Sequence, residues 1–463
     1  MKAKIQLLFP ELEICKKNMY PLTSNPFNKI GSNNIENLPQ LQKLPSHERL
    51  AMKAVSNVFP FRVNNYIVEQ LIDWNNIPDD PIFRMTFPHS DMLNPEDLNR
   101  LIKLLKTNGS KETIRRTADD IRSRLNPHPG GQVDYNVPRL DGELIPGIQH
   151  KYPDTVLIFP SSGQACHAYC QFCFRWAQFV NTNTHKFATR ESGRFQDYLR
   201  QHKEVTDVVL TGGDPMIMSA RRLFQYIEPL LDPEFEHIQT IRIGTKSVAY
   251  WPYRYVTDRD ADDVLRLFEK IVYSGKHLAV MGHYTHWREL DTPIAQEAIR
   301  RIRSTGAQLR AQSPLLKHVN DSARVWRRMW QMQVRLGCIP YYMFVERDTG
   351  PKHYFGIPLV RTWEIFRDAI KGVSGLSQTV RGPVMSALPG KVLISGVAHM
   401  MGEKVFVLSF IRGRDPNWCK VPFFACYDPQ ATWFGELAPA FGEKEFFYQK
   451  ELERITRARL QIQ

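Results

Sequence analysis

Cysteine is scarce. Seven cysteines among 463 residues are too few for a disulfide scaffold in so long a chain and point to a reducing compartment. Long apolar runs are missing too. The longest, such as Val405–Phe410, have the length of a strand and fall far short of the ~20 residues that cross a bilayer, so no membrane is expected. The N-terminus lacks a basic-then-apolar secretory pattern, which makes the cytoplasm the expected compartment. There is no low-complexity segment. A basic excess exists, 61 Lys and Arg against 48 Asp and Glu for a net charge of +13, but no aromatic-and-basic strip or added RNA-binding module goes with it. The charge therefore does not argue for nucleic acid. A hydrophobic content of 43% excludes a mainly disordered chain.

What is present has a rhythm. Residues 1–45 are polar and are expected to wrap the surface or fray. Helical patterns follow over Ser46–Val58, Asn94–Thr107 (with Pro95 at the start) and Lys111–Leu125. The Pro-, Gly- and His-rich stretch Asn126–Gly147 reads as an extended connection. Short β-branched or apolar runs then begin at Thr155, Asp207, Thr240, His277, Gln308 and Tyr341, at spacings of 52, 33, 37, 31 and 33 residues. Helical stretches lie between them. Three end at Gly275, Gly306 and Gly337, as a glycine just past a helix predicts, and Ser219, Asp258 and Asn320 are candidate N-caps. A strand and a helix every 30–40 residues signify a parallel βα array. The expected fold is α/β, a partial (β/α)6 TIM-type barrel over residues 148–375. A mostly helical N-terminal region covers 1–147 and a C-terminal extension of short aromatic strands covers 376–463, with a charged helix over Glu443–Gln463.

The wide first spacing marks an expanded loop after the first strand, and it holds Cys166, Cys170 and Cys173 in a C-x3-C-x2-C pattern. Thiolates are preferred ligands of iron–sulfur clusters and of zinc. A structural zinc site wants four ligands, usually in two separated pairs, and no second pair follows. Cys338, Cys419 and Cys426 read as ordinary buried thiols. Chance placement and zinc remain alternatives to a four-iron cluster with one open iron.

In βα barrels the active site collects at the C-terminal ends of the strands. The second strand runs into Gly212-Gly213-Asp214-Pro215, whose glycines permit close backbone approach to a ligand and whose aspartate can accept from an ammonium or ribose hydroxyl. The third strand ends in Arg242–Lys246, the fourth runs into His283 and His286, Gln312 lies in the fifth, and Glu346-Arg347-Asp348 follow the sixth. Polar groups at the ends of all these strands point to one shared cavity.

The cysteine spacing, with the Gly-Gly-Asp-Pro turn after the next strand, resembles the radical S-adenosylmethionine (SAM) superfamily. Further stretches resemble its lysine 2,3-aminomutase family: Val58–Arg62, Asp80–Arg84, His150–Asp154, Cys170–Arg175, Pro340–Tyr342 and Leu388–Lys391, so the likeness spans roughly residues 50–395. The resemblance implies a [4Fe-4S] cluster on Cys166, Cys170 and Cys173 and SAM on its open iron. Arg175 would pair with the SAM carboxylate, Phe172 could pack on the adenine, and Gly212, Gly213, Asp214, Pro215, His283 and Gln312 would surround the rest. It also implies pyridoxal 5'-phosphate (PLP), bound as a Schiff base to Lys391 and contacted by Tyr152 and Lys151. The implied reaction is 1,2-amino migration that gives a β-amino acid from a small-molecule amino acid. An electron donor such as flavodoxin or ferredoxin and a homo-oligomer are implied with it.

Several positions depart from the family pattern. Lys151 replaces an arginine, Thr155 stands where another family arginine helps hold the phosphate, and the glycine-rich run before the Schiff-base lysine is shortened. Arg347 (or, with a one-residue shift, Asp348) and Ser386 or Ala387 stand where two aspartates would hold the distal ammonium of lysine. Ser322 replaces a zinc-ligating cysteine. The expected substrate is accordingly not free lysine but an amino acid with a distal carboxylate or neutral polar group. Alternatives are a relative acting on a residue of a partner protein, a radical SAM enzyme without PLP, and a cluster-bearing scaffold with a binding role.

Overall fold

The computed structural model describes residues 24–180 and 187–461. One eleven-stranded sheet organises them: β1 Ile148–Tyr152, β2 Thr155–Ile158, β3 Asp207–Leu210, β4 Thr240–Thr245, β5 His277–His283, β6 Gln308–Leu315, β7 Ile339–Val345, β8 Arg381–Ser386, β9 Gly390–Met400, β10 Glu403–Gly413 and β11 Pro422–Cys426. The strands lie side by side in sequence order. β2 through β8 are mutually parallel, while β1 and β9–β11 pair antiparallel at the two ends.

Six helices connect the parallel strands: Ser192–Gln201, Ala220–Ile227, Ala261–Tyr273, Pro293–Ser304, Ala323–Arg335 and Leu359–Ile370. Each buries an apolar stripe, such as Val264, Leu267, Phe268 and Ile271 in the third, as an amphipathic helix on a sheet must. Gly275, Gly306 and Gly337 all have positive φ just beyond their helices, where a Cβ would be strained.

Five of the six expected strands start at the expected residue, and the sixth starts two residues earlier. Two caps differ. Asn320 is buried and spends its side chain on Leu316 N, Thr285 O and Pro314 O, leaving the cap to Ser322. Asp258 accepts from the Trp251 indole, and the next helix starts after Asp260. The antiparallel β1 and the seventh parallel strand β8 are absent from the sequence reading, because neither carries a strong alternating pattern. The short aromatic strands expected after residue 376 include an 11-residue pair, closed by Met401 and Gly402 with φ of 51° and 83°. Two adjacent positive φ values make a type I′ hairpin turn.

Residues 24–45 do not fray: Ile35, Leu38, Leu41 and Leu44 are buried, and Lys29–Gly31 pairs with Arg62–Asn64. The first 23 residues of that polar stretch, with Cys15, lie outside the described residues. The connection expected to be extended holds short helical turns, Pro129–Gly131 and Gln132–Asn136. The terminal helix begins only at Gln449, because Phe446 and Tyr448 are spent on a second apolar core with Phe410, Trp418, Phe423 and Phe434. Of the outlying thiols, Cys338 is buried as expected, but Cys419 is half-buried and Cys426 exposed.

Asp80 ties the N-terminal region to the sheet. Fully buried, it caps the Pro81–Thr86 helix through Ile82 N and Phe83 N and pairs with Arg288, far away in sequence. Asp80→Ala removes the cap and strands a partly buried guanidinium. Its expected cost is about 3–5 kcal/mol, read as a lower urea midpoint, with Asp80→Asn losing less.

Candidate active site

The cysteine loop is pinned from three sides. Arg62 donates to the Cys166 carbonyl at 3.1 Å, and Tyr169 N donates back to Arg62 O. Gln171 N donates to Met85 O at 2.9 Å, and its side chain donates to Pro60 O at 3.2 Å. The Val58–Arg62 and Asp80–Arg84 stretches thus act as its frame. Beneath it, Gly212 (φ 145°) and Gly213 press on the loop's entry. A Cβ on Gly213 would sit 2.6 Å from the Gln164 carbonyl and 2.7 Å from that of Ala165, which real side chains do not tolerate. The glycines therefore serve chain-to-chain approach, and not only the approach to a ligand read from the sequence.

All three thiols are half-buried, and burial pushes Cys170 up to about 12 and Cys173 to about 11. The charges of the three lie near enough to raise one another. Among the described residues no three His, Cys, Asp or Glu side chains converge on one metal ion. Ligands of a four-iron cluster need not do so, since each takes a different iron, and the three thiols on one loop fit that donor set. Cys170 Sγ lies 3.5 Å from the hydroxyl of buried Tyr250, a neighbour that the sequence reading missed.

Arg175 reaches the same turn, donating to Gly212 O at 3.2 Å with its guanidinium 4.4 Å over the Phe159 ring. Burial lowers it to about 10. Asp214 differs from expectation. Its carboxylate, 2% exposed, accepts from Thr245 Oγ1 and the Met216, Lys246 and Ser247 amides, and burial raises it to about 6 despite these bonds. Its acceptor capacity serves to lock the turn onto β4, leaving backbone groups to meet a ligand. His283 and Gln312 are register partners on β5 and β6, and buried Phe172 sits edge-on to His283 at 5.8 Å. Lys246, unnoticed as a structural group in the sequence, is held by Glu289, Thr285 and His283 O.

Gln312 is next to Tyr342 on β7, and the Tyr342 ring lies 4.3 Å below Lys391 Nζ. Gly390 is required there, because a Cβ would meet the Arg412 carbonyl at 2.1 Å. Lys391 pairs across the strands with Ser386 and Arg412. Burial, then Arg242, Arg381 and Arg412, lower its amine to about 7. Lys151 donates to Ala387 O at 2.6 Å, with its ammonium 5.4 Å over Tyr152. Burial, then Arg414, Arg347 and Lys391, push its pKa well down. Thr155 is buried and donates to Asp154 at 2.7 Å.

Arg347 lies between the two halves: its charge lowers both Arg175 and Lys151. It stacks 4.9 Å over Phe174 and donates one Nη to Pro129 O at 3.2 Å, while its buried Nε has no partner. Asp348 accepts from Asn126 through its carbonyl and one carboxylate oxygen, while its buried Oδ1 has no partner. Glu346 is buried and raised well above the usual carboxylate range by burial. The residues absent from the sequence reading, Arg381 and Arg412 above all, carry no motif and come from strands beyond the βα rhythm.

Gly213→Ala is expected to lower the iron and sulfide retained after anaerobic reconstitution while far-UV circular dichroism stays unchanged, because the clash falls on the loop and not on the sheet. For Lys391 the pH dependence has a definite sign. A depressed amine is neutral above its pKa, so borohydride-trapped aldehyde at this residue should rise through about pH 7, well below the ~10.4 of a free lysine.

No protein-family model matches the chain. A protein of Aquifex aeolicus provisionally named L-lysine 2,3-aminomutase is 32% identical over 411 residues, 88% of this chain and 96% of that one. The L-lysine 2,3-aminomutase of Fusobacterium nucleatum is 26% identical over 60% of this chain and 67% of its own length, and the glutamate 2,3-aminomutase of Clostridioides difficile 28% over 45% and 46%. With the first of these likenesses covering nearly the whole relative, the chain belongs to the lysine 2,3-aminomutase family.

Proposed function

We propose that this protein is a radical SAM, PLP-dependent 2,3-aminomutase whose substrate is a small amino acid with a distal carboxylate. The observation that carries the substrate assignment is Arg347, a half-buried residue whose buried Nε is unpartnered, between Arg175 and Lys151. Asp348 and Glu346 act on it without a hydrogen bond to the guanidinium, and a substrate carboxylate supplies the bidentate partner it lacks. The kinship with a glutamate 2,3-aminomutase agrees with this polarity. The connection through Pro129 and Gly130 closes over Arg347, which favours a small molecule over a residue of a partner protein.

The fold supports the same reading. Strands added consecutively, with right-handed crossovers, put all the helices on one face. The sheet then rolls its other face inward as a partial (β/α)6 barrel over 148–375, between the region at 1–147 and the extension at 376–463. In this assignment Cys166, Cys170 and Cys173 hold the cluster. Arg175, the Gly212–Pro215 turn, His283 and Gln312 hold SAM, while Lys391, Lys151 and Tyr152 hold PLP. Arg347 and Ser386 meet the substrate. When bound, the cluster with SAM supplies a hydrogen-abstracting adenosyl radical, and PLP supplies the carbonyl that carries the migrating nitrogen. The chain's own work is electrostatic and steric. Lys391 can lose and regain a proton at Nζ near neutral pH, Arg347 fixes the distal end, and the covering connection excludes water. A flavodoxin- or ferredoxin-type electron donor, a cytoplasmic setting and a homo-oligomer belong to the same proposal; among the described residues no helix is long and apolar enough to cross a membrane.

The test is anaerobic reconstitution with iron, sulfide, SAM and PLP, then a screen of amino acids for β-isomers. Glutamate-class substrates are expected to turn over, and Arg347→Gln to raise their KM roughly thirtyfold or more. Robust conversion of free lysine to β-lysine would sink the substrate assignment, and SAM cleavage without PLP capture would remove PLP from the reaction.

A further inference from the structure

Five cations crowd around Tyr152: Lys151, Arg347, Lys391, Arg412 and Arg414. Arg412, Arg414 and Arg347 act on the Tyr152 phenol together, Lys151 lies over its ring, and Lys391 adds to the charge that lowers Lys151. The carboxylates against them are fewer: Asp154 accepts from Arg412 and from Thr155, Asp348 and Glu346 act on Arg347 alone, and Asp207 is already neutralised by Arg242. Lys151 donates to a carbonyl, and no ion pair to it occurs among the described residues. A cluster with this imbalance calls for an anion carrying more than one charge.

The cations are not equally free to meet it. Arg414 is consumed, with Nε on Leu388 O, one Nη on Asn136 Oδ1 and the other on Tyr135 O. Arg347 leans away, onto Phe174 and Pro129. Arg412 makes its hydrogen bond to Asp154 through a single Nη, leaving other N–H groups unspent. Its guanidinium lies 4.7 Å over the Tyr152 ring. It is also the direct cross-strand neighbour of Lys391, and such neighbours share one face of a sheet.

We propose that Arg412 is the phosphate-binding arginine of this chain. With Lys151 and Tyr152 it clamps the dianionic phosphate of PLP, from β10, beside a Thr155 that offers no guanidinium. Asp154, bonded to both residues, orients it. The assignment rests on the function proposed above and adds a residue outside the family's motifs.

The experiment titrates the reconstituted full-length protein with PLP and, separately, with pyridoxal, which lacks the phosphate. Borohydride reduction fixes the aldehyde and mass spectrometry reads the fraction of chain modified at Lys391. Arg412→Gln is expected to raise the half-capture concentration for PLP roughly tenfold or more and to leave that for pyridoxal unchanged. Thr155→Arg in the Arg412→Gln background is expected to restore PLP capture, which also shows that the variant folds. Equal PLP capture by wild type and Arg412→Gln overturns the assignment alone. So does an equal loss for both aldehydes, which would mean that Arg412 acts only through the Lys391 amine. A wild type that captures neither aldehyde overturns the proposed function and this assignment with it.

Discussion

The approach of Gly213 to the carbonyls of Gln164 and Ala165 is the contact on which the site depends. It lets the turn after β3 slide under the entry of the cysteine loop, so that the first two strand ends share one surface. From there each neighbour follows in register. Asp214 fastens the turn to β4 through Thr245 and two amides, Arg175 returns from beyond Cys173 to Gly212 O, and His283 and Gln312 sit side by side on the next strands. A side chain at Gly213 would separate the loop from the turn and so part the two elements on which the reading of cluster and SAM rests.

A second constraint governs the far half. Gly390 allows β9 to lie against the Arg412 carbonyl, and this sets Lys391 over Tyr342 among arginines. Burial first, and then the fixed positive charge around it, make this amine give up its proton readily. The aromatic face beneath it still attracts the ammonium when it forms. The two effects oppose each other and leave the group poised near neutrality, where a nucleophilic amine is most useful.

Much of this arrangement is legible in the sequence. The βα spacing locates five strand starts, and two of them, His277 and Gln308, follow a glycine-capped helix whose periodicity is strong. The cysteine triad, Arg175 and the glycine turn are read from local pattern and do lie together. Asp214 misleads for a physical reason: an aspartate after a Gly-Gly turn can face a ligand or bond the next strand, and only the tertiary position of Thr245 and Ser247 decides between them. Arg412 and Arg381 leave no trace in the sequence, since a charged residue in a strand usually marks a solvated face. What makes them different is the antiparallel return of β9 and β10, a long-range pairing that hydrophobic periodicity does not encode.

The net charge of +13 gains its meaning from location. Exposed lysines and arginines are solvated and cost little, whereas Lys151, Arg175, Arg347, Lys391 and Arg414 are depressed by burial. Packing that many like charges into one chamber opposes folding, and the few carboxylates nearby do not balance them. Anions that bind the folded chain and not the unfolded one offset that opposition by mass action. Stability and ligand loading are therefore coupled in this fold.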